Sequence, residues 1–150
     1  MSDIIPAAVV SALISSVTSL LILEAKAAIQ RNIDKKEQYS LRLEKIYYPF
    51  YRTVIMYYDS ENNEILHNKD KATDIIENVL FDNIQYLSTE CQSEFCSFYS
   101  FYVSCVSKGK LTVNWRDIED KFREIAIMIL NEHKKISRKL KLEQPADIFH

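Results

Sequence analysis

Cysteine, histidine and carboxylate side chains are the residues of this sequence that could carry out chemistry. The three cysteines are odd in number and form no Cys-x-x-Cys pair: Cys91, Cys96 and Cys105. A metal or redox site needs ligands at short, matched spacing, and the three histidines also lie far apart along the chain. The sequence therefore predicts no metal site and no cofactor, and it indicates cysteines that pack as small hydrophobic residues in a reducing compartment.

His133 follows Glu132, but the two do not belong to a His-Glu-x-x-His zinc motif. His133 lies on the apolar face of the last predicted helix, between Ile129 and Ile136. It is either a pH-sensitive group or a core histidine with a hydrogen-bond partner, and we expect the partnered core residue. Nucleophile-elbow, phosphate-loop and calcium-loop motifs are absent from the sequence. We predict that the protein is not an enzyme and takes no small-molecule substrate.

The composition restricts both the fold and the partners. The chain has 150 residues, of which 47% are hydrophobic and one is glycine. One glycine supplies few of the positive-φ positions that hairpins and phosphate loops need, so the composition favours an all-α fold. Lysine and arginine number 19 against 21 acidic residues, and the net charge is -2. Nucleic-acid binding domains are usually basic, so we predict no nucleic-acid partner.

Residues 4–23 form an uncharged run of 20 residues. At 1.5 Å per residue, a helix of this length extends about 30 Å, the thickness of the hydrocarbon core of a bilayer. Two alternatives stay open: a signal peptide cleaved near the Ala-Lys-Ala sequence at 25–27, and a buried or interfacial helix. A signal peptide begins with basic residues, whereas Asp3 is the only charged side chain before the run. We predict that residues 1–23 form a retained transmembrane anchor.

The flanking charges predict the orientation of this anchor. No lysine or arginine precedes the run, whereas four follow it closely: Lys26, Arg31, Lys35 and Lys36. Basic residues flank membrane spans on the cytoplasmic side. We therefore predict a single-pass protein of the cell membrane, with its N-terminus outside and its C-terminal domain in the cytoplasm.

Small side chains share one side of the predicted span: Ala8, Ser11, Ala12, Ser15, Ser16 and Ser19. Small residues four apart let two membrane helices approach closely, and their hydroxyls can hydrogen-bond across the contact. This pattern predicts a homo-oligomer that forms through the span. The serine-rich face of residues 90–107 offers an alternative contact, with a second copy or with a partner protein.

The rest of the chain is predicted to form a charged stalk over residues 24–38, a four-helix bundle over residues 39–142 and a tail over residues 143–150. Apolar residues recur at helical spacing in four segments, the first continuous with the stalk and the others around residues 75–87, 90–107 and 114–142. We expect Ser88 or Thr89, and then Asn114, to act as N-caps. The predicted fold is therefore an N-terminal transmembrane helix that continues into a cytoplasmic four-helix bundle.

An aromatic element lies inside the first of these helices and consists of Tyr47, Tyr48, Pro49, Phe50 and Tyr51. Proline removes a backbone donor, so we expect a kink or a break near residues 47–48. The aromatic side chains either fill the space beside that kink or form an exposed docking patch. The spacing alone is typical of packing.

Residues 43–51, which read Leu-Glu-Lys-Ile-Tyr-Tyr-Pro-Phe-Tyr, resemble part of a group of small membrane-anchored helical proteins of bacteria and their phages. Those proteins often carry Tyr-x-Pro-Leu-Tyr after an N-terminal span and a charged stalk, whereas this chain has Phe50 in place of the leucine. The resemblance covers roughly residues 1–107. It implies an architecture without a known activity, so no catalytic residue is transferred.

Positive charge is concentrated near the end of the last helix, at Lys134, Lys135, Arg138, Lys139 and Lys141. In an up-down-up-down bundle this end returns toward the membrane, where the cations would face lipid headgroups. Alternatively, they complement the negative end of the helix macrodipole.

Together these observations predict a non-enzymatic, membrane-anchored interaction protein on the cytoplasmic face, with a role in phage biology or host defence. The partners would be membrane lipid and either a second copy or another protein. Two alternatives stay open: a small toxin or pore former whose span oligomerises and leaks ions, and an enzyme whose catalytic groups lie far apart in the sequence.

Overall fold

The computed structural model describes residues 7–59, 61, 64–66, 69–107 and 114–145, and it describes side chains from residue 15 onward except that of Lys69. Helices make up its regular structure, and the described residues contain no β-strand. The predicted all-α class is confirmed. The chain divides into two compact units, Met1–Gln38 and Tyr39–His150.

The first helix, α1, extends over Ala7–Arg42. Every side chain from residue 15 to residue 38 is exposed. Within the described residues, no helix combines the length and the apolar character that a membrane crossing requires. The predicted anchor, residues 1–23, falls partly outside this description, because the side chains of residues 1–14 lie outside the described residues.

A π-helical turn at Leu43–Tyr47 connects α1 directly to α2, which spans Tyr48–Tyr57. The Tyr48 N–H donates to the Leu43 carbonyl, five residues back. Pro49 explains the location of this turn, because its ring collides with the carbonyl four residues earlier in a regular α-helix and it has no N–H to donate. The predicted change in the helix near residues 47–48 is confirmed.

The second predicted helix, around residues 75–87, is less regular than expected. The structure has a short α3 at Lys69–Thr73, a π-helical segment at Asp74–Phe81 and a 3-10 turn at Ile84–Tyr86. A π-helix has more residues per turn than an α-helix. Ile75, Ile76 and Leu80 are all buried along it. The apolar pattern therefore predicted the buried positions but not the geometry of the backbone.

Two long helices complete the bundle: α4 at Thr89–Ser107 and α5 at Trp115–Leu140. Ser88 caps α4, since its Oγ accepts the Cys91 N–H at 3.2 Å. Asn114 occupies the N-cap position of α5, but its side chain makes no capping hydrogen bond. The predicted N-cap at Ser88 is confirmed. At Asn114 the predicted start of the helix is confirmed, but the predicted side-chain cap is not formed.

One core fills the second unit. Phe122 of α5 lies at its centre, with ring centroids 6.3 Å from Phe50 of α2 and 5.9 Å from Phe98 of α4. The connection after α2 is held by Glu119, whose buried carboxylate accepts the N–H groups of Ile65 and Leu66 at 2.9 and 2.7 Å. Four helical segments of the chain therefore surround a single core.

Candidate interaction site around the tyrosine-proline element

The structure divides the tyrosine-proline element, residues 47–51, between the interior and the surface. Tyr47 and Phe50 are fully buried, Pro49 and Tyr51 are half-buried, and Tyr48 keeps 48% of its surface exposed. The packing interpretation therefore describes Tyr47 and Phe50. The docking interpretation is limited to the outward side of the element, where Tyr48 lies.

Behind the element lies a polar group that we call the Arg42 cluster, formed by Arg42, Tyr47 and Glu132. The Tyr47 hydroxyl donates to Glu132 Oε2 at 2.5 Å, and Arg42 Nη2 donates to the Tyr47 hydroxyl at 2.8 Å. Arg42 Nη2 also lies 3.4 Å from Glu132 Oε2, and its Nε donates to the Tyr86 carbonyl at 2.6 Å. The cluster joins the end of α1, the π turn, the segment before α4, and α5.

The π turn is what allows Arg42 and Tyr47 to meet. Five residues of a regular α-helix turn through about 500°, which leaves the two ends about 140° apart. A π-helical turn makes i to i+5 hydrogen bonds, so residues five apart lie near one another. The π-helical backbone therefore brings the side chains of Arg42 and Tyr47 within hydrogen-bond distance.

Within the Arg42 cluster, the positive charge of Arg42 compensates the negative charge of Glu132. Burial alone raises the pKa of Glu132, but hydrogen bonds from Ser88 and Tyr47 and the positive charge of Arg42 lower it below its usual value. Burial, together with the hydrogen bond to Glu132, raises the pKa of Tyr47 above its usual value. Burial also raises the pKa of the nearby Cys91 thiol to about 11. The phenol and the thiol thus stay protonated and non-nucleophilic at neutral pH.

His133 is 2% exposed and lies among three tyrosine rings. Its ring centroid is 5.9 Å from that of Tyr47, 5.3 Å from that of Tyr48 and 5.6 Å from that of Tyr51. Neither ring nitrogen has a hydrogen-bond partner among the described residues, and neither does the buried Ser137 hydroxyl one turn later. The prediction of a core position is confirmed and that of a hydrogen-bond partner is wrong, because the facing element presents aromatic rings to the imidazole. Burial lowers the pKa of His133 to about 4.

An open groove runs along the outer side of the tyrosine-proline element. It has a volume of about 520 Å³ and is lined by Glu44, Tyr48, Pro49, Arg52, Thr53 and Met56. Tyr48 forms the boundary between this groove and His133, because its ring contacts the imidazole edge-on. The groove is the part of the element that a partner could reach.

The predicted basic patch forms the last turns of α5. Lys135, Arg138, Lys139 and Lys141 are exposed, and Lys134 is half-buried. Lys139 Nζ donates to the Tyr39 hydroxyl at 3.0 Å and lies 4.9 Å from the centre of its ring. The basic end of α5 is therefore held beside Tyr39, the first residue of the second unit.

The small-residue face of α1 lies partly outside the described side chains. Ala8, Ser11 and Ala12 are outside them, and Ser15, Ser16 and Ser19 are exposed. The Ser19 hydroxyl donates to the Ser15 carbonyl at 2.8 Å. On α4, the hydroxyls of Ser100 and Ser107 likewise donate to carbonyls four residues back, at 3.0 and 2.5 Å. These hydroxyls thus have partners within their own helices.

The described residues bring together no group of three or more histidine, cysteine, aspartate or glutamate side chains that could hold a metal ion. Cys91 is buried, Cys96 is exposed and Cys105 is half-buried, and all three are free thiols. The arrangement that the structure does assemble is a packed polar cluster with a groove beside it.

Sequence reasoning missed three charged residues that the fold depends on: Arg42, Glu119 and Glu132. Each occupies a position on an apolar helical face, since Arg42 is three residues after Tyr39, Glu119 three before Phe122 and Glu132 three after Ile129. A charge at such a position indicates a buried partner. That spacing was the signal available in the sequence.

The chain was compared with protein-family models, curated proteins and solved structures, and no match was found in any of the three. The resemblance carried by residues 43–51 therefore stays a prediction.

Proposed function

We propose that this chain is a single-pass membrane protein whose helical bundle lies on the cytoplasmic face and acts by contact with other macromolecules rather than by catalysis. The observation that carries the proposal is the apolar surface of α1. Within the uncharged run, five described apolar side chains keep 51–62% of their surface exposed: Val17, Leu20, Leu21, Ile22 and Leu23.

Four of these side chains are consecutive, so they surround the last turn of the uncharged run. Apolar side chains on all sides of a helical turn are stabilised when the turn is removed from water on all sides. A bilayer does this for a single helix, and the uncharged residues 4–23 have the length that a bilayer requires. The length of the run therefore favours lipid over a protein groove.

The basic residues that follow the run support the orientation. Lys26, Arg31, Lys35 and Lys36 are all exposed on α1. Exposed cations next to a span favour the cytoplasmic side, so the second unit would lie in the cytoplasm.

A matched pair of substitutions tests the anchor. Val17 and Ile29 are both apolar and both exposed on α1, by 56% and 61%, but only Val17 lies in the uncharged run. An arginine inside a bilayer costs about 2.5–3.5 kcal/mol, so V17R should release part of the full chain from membranes during a carbonate wash. I29R should leave the chain membrane-bound. Release of the wild-type chain by the same wash would contradict the proposal.

Thiol labelling tests the orientation in intact cells. A cysteine introduced by Ser2→Cys should react with a membrane-impermeant maleimide, whereas the native, exposed Cys96 should react only after lysis. Labelling of Cys96 in intact cells, with protection at position 2, would reverse the orientation.

The pore-forming alternative has less support. A water-filled pore needs several copies of the span with hydroxyls that face a channel, and the described structure is that of a single chain in which the Ser19 hydroxyl donates to the Ser15 carbonyl. Induced expression should therefore leave the membrane potential unchanged, and depolarisation that Ser15→Leu abolishes would favour the pore.

A further inference from the structure

Two polar side chains inside the second unit have no hydrogen-bond partner within the described chain. They are His133, which keeps 2% of its surface exposed, and Ser137, which is fully buried. Both imidazole nitrogens and the Ser137 hydroxyl lack a bond to any described residue. The two residues lie one turn apart on α5, so their side chains share one face of the helix. Buried polar groups in folded proteins nearly always have partners, so we expect this face to receive one from outside the chain.

Tyr48 is the part of the wall around His133 that is able to move. The rings of Tyr47, Tyr48 and Tyr51 lie against the imidazole, with centroids 5.9, 5.3 and 5.6 Å away. Tyr47 is fully buried and is fixed by its hydrogen bond to Glu132. Tyr48 is about half exposed, and within the described residues its hydroxyl makes no hydrogen bond. Side chains of this kind change rotamer readily, and rotation of Tyr48 toward solvent would open His133 to the groove.

The groove on the outer side of the tyrosine-proline element favours an uncharged ligand. Its volume of about 520 Å³ lies in the range of small-molecule sites, and Pro49 and Met56 give it apolar walls. The charged residues that line it, Glu44 and Arg52, have opposite signs. His133 is neutral at pH 7 as well, because burial lowers its pKa to about 4. A ligand that reaches the imidazole through this groove therefore meets no net charge.

The ring of Tyr48 indicates which shape fits against the imidazole. It is planar and meets the imidazole edge-on, at an interplanar angle of 78°. Its hydroxyl does not bond to either nitrogen, because the backbone fixes the direction in which the ring points. A free ring of the same size has no such restriction and could turn a hydroxyl toward the imidazole. A hydroxyl both donates and accepts, so it suits a neutral imidazole and a serine together.

We propose that His133 and Ser137 form a binding site for a small uncharged phenol, whose ring takes the place of the Tyr48 ring. The hydroxyl of the ligand donates to an imidazole nitrogen and accepts a hydrogen bond from the Ser137 hydroxyl. The inference goes beyond the proposed function and does not depend on it, because every residue of the site belongs to the second unit.

The test is a titration of the full chain, in micelles of a neutral detergent, with 4-methylphenol. The ring-proton NMR signal of His133, assigned by its absence from the His133→Phe variant, should shift with a dissociation constant on the order of 1 mM. Toluene has the same shape without the hydroxyl and should bind at least about fivefold more weakly at equal free concentration. An apolar cavity would show the reverse preference.

A matched pair of variants tests the role of Tyr48. Tyr48→Ala removes the ring that has to move and should strengthen the binding of 4-methylphenol about tenfold. Phe81 is exposed to a similar extent, 46% against 48%, but it stacks on Tyr99. Phe81→Ala should therefore leave the affinity unchanged. Ser137→Ala removes one hydrogen bond to the ligand and should weaken binding about fivefold.

Four outcomes overturn the inference. They are a His133 signal that does not move in the wild-type chain, an affinity for toluene equal to or above that for 4-methylphenol, equal effects of Tyr48→Ala and Phe81→Ala, and wild-type affinity in Ser137→Ala. The first outcome would mean that water alone serves the buried polar atoms, and the second that the site is an apolar cavity. Far-ultraviolet circular dichroism checks that each variant keeps its helical content before it is titrated.

Discussion

Glu132 and His133 are neighbours on α5 and both face the π turn. The surroundings of Glu132 favour its charged form, whereas those of His133 favour its neutral form. Glu132 keeps its charge because Tyr47, Ser88 and Arg42 supply hydrogen bonds and a countercharge. His133 lies against the rings of Tyr47, Tyr48 and Tyr51 and has no hydrogen-bond partner in the described chain, so burial favours its neutral form. One helix thus shows both ways in which a polar group is tolerated away from water: it is paired, or it is kept uncharged.

The largest effect should follow from removing the countercharge of Glu132. Arg42→Met leaves the carboxylate half-buried without its cation and removes the bond to the Tyr86 carbonyl. We expect a loss of about 2–3 kcal/mol in the free energy of unfolding, measured by urea titration with Trp115 fluorescence. Lys45→Met breaks an exposed pair with Glu44 and should change stability by less than about 0.5 kcal/mol. Equal losses would show that Glu132 does not depend on Arg42.

Removing a single hydrogen bond should cost less. Tyr47→Phe keeps the buried ring but removes the hydroxyl that donates to Glu132, so we expect a loss of about 1.5 kcal/mol in the same titration. In a double-mutant cycle with Arg42→Met the losses should not add, since both side chains serve the same carboxylate. Additive losses would mean that the cluster is not one unit.

Replacing the unpartnered imidazole should stabilise the fold. His133→Phe removes two buried nitrogens that have no hydrogen-bond partner among the described residues, and it keeps an aromatic ring among the tyrosines, so we expect a gain of about 1 kcal/mol at neutral pH. A loss of similar size would show that the imidazole has a partner that the geometry does not reveal.

His133 should also determine how the wild-type protein responds to mild acid. The unfolded imidazole takes up a proton below its usual pKa of 6.5, whereas the folded one does so only near 4. Between these values the unfolded state binds more protons, so the free energy of unfolding should fall as the pH falls from 6.5 toward 4. His133→Phe should weaken this decline. The loss caused by Glu132 should come at lower pH, because its pKa lies below its usual value.

The last prediction concerns the reactivity of Cys91, which lies beside the Arg42 cluster, and it involves no change in stability. Burial raises the pKa of Cys91 to about 11, while Cys96 is exposed. Iodoacetamide should therefore modify Cys96 at least about 100-fold faster than Cys91 in the folded protein, as followed by mass spectrometry. Equal rates would mean that the interior beside Glu132 opens readily.

The sequence was sufficient to predict the structural features that depend on the spacing of nearby residues. The apolar spacing predicted the helices over residues 90–107 and 114–142, and Pro49 predicted the change in the first helix. It was not sufficient for contacts between distant segments, because a one-dimensional pattern does not show which faces meet. The Arg42 cluster joins residues up to 90 positions apart, and the hydrogen-bond partner predicted for His133 is absent among the described residues, where aromatic rings lie against the imidazole instead.

The π turn at Leu43–Tyr47 makes the number of residues at this point as important as their identity. It inserts one extra position between the last turn of α1 and the first turn of α2. Deletion of one residue from it would restore a regular helix but would rotate everything before it by about 100°. Tyr39 and Arg42 would then turn away from Lys139 and Glu132 together, so a change of length could separate both contacts without altering any of the four side chains.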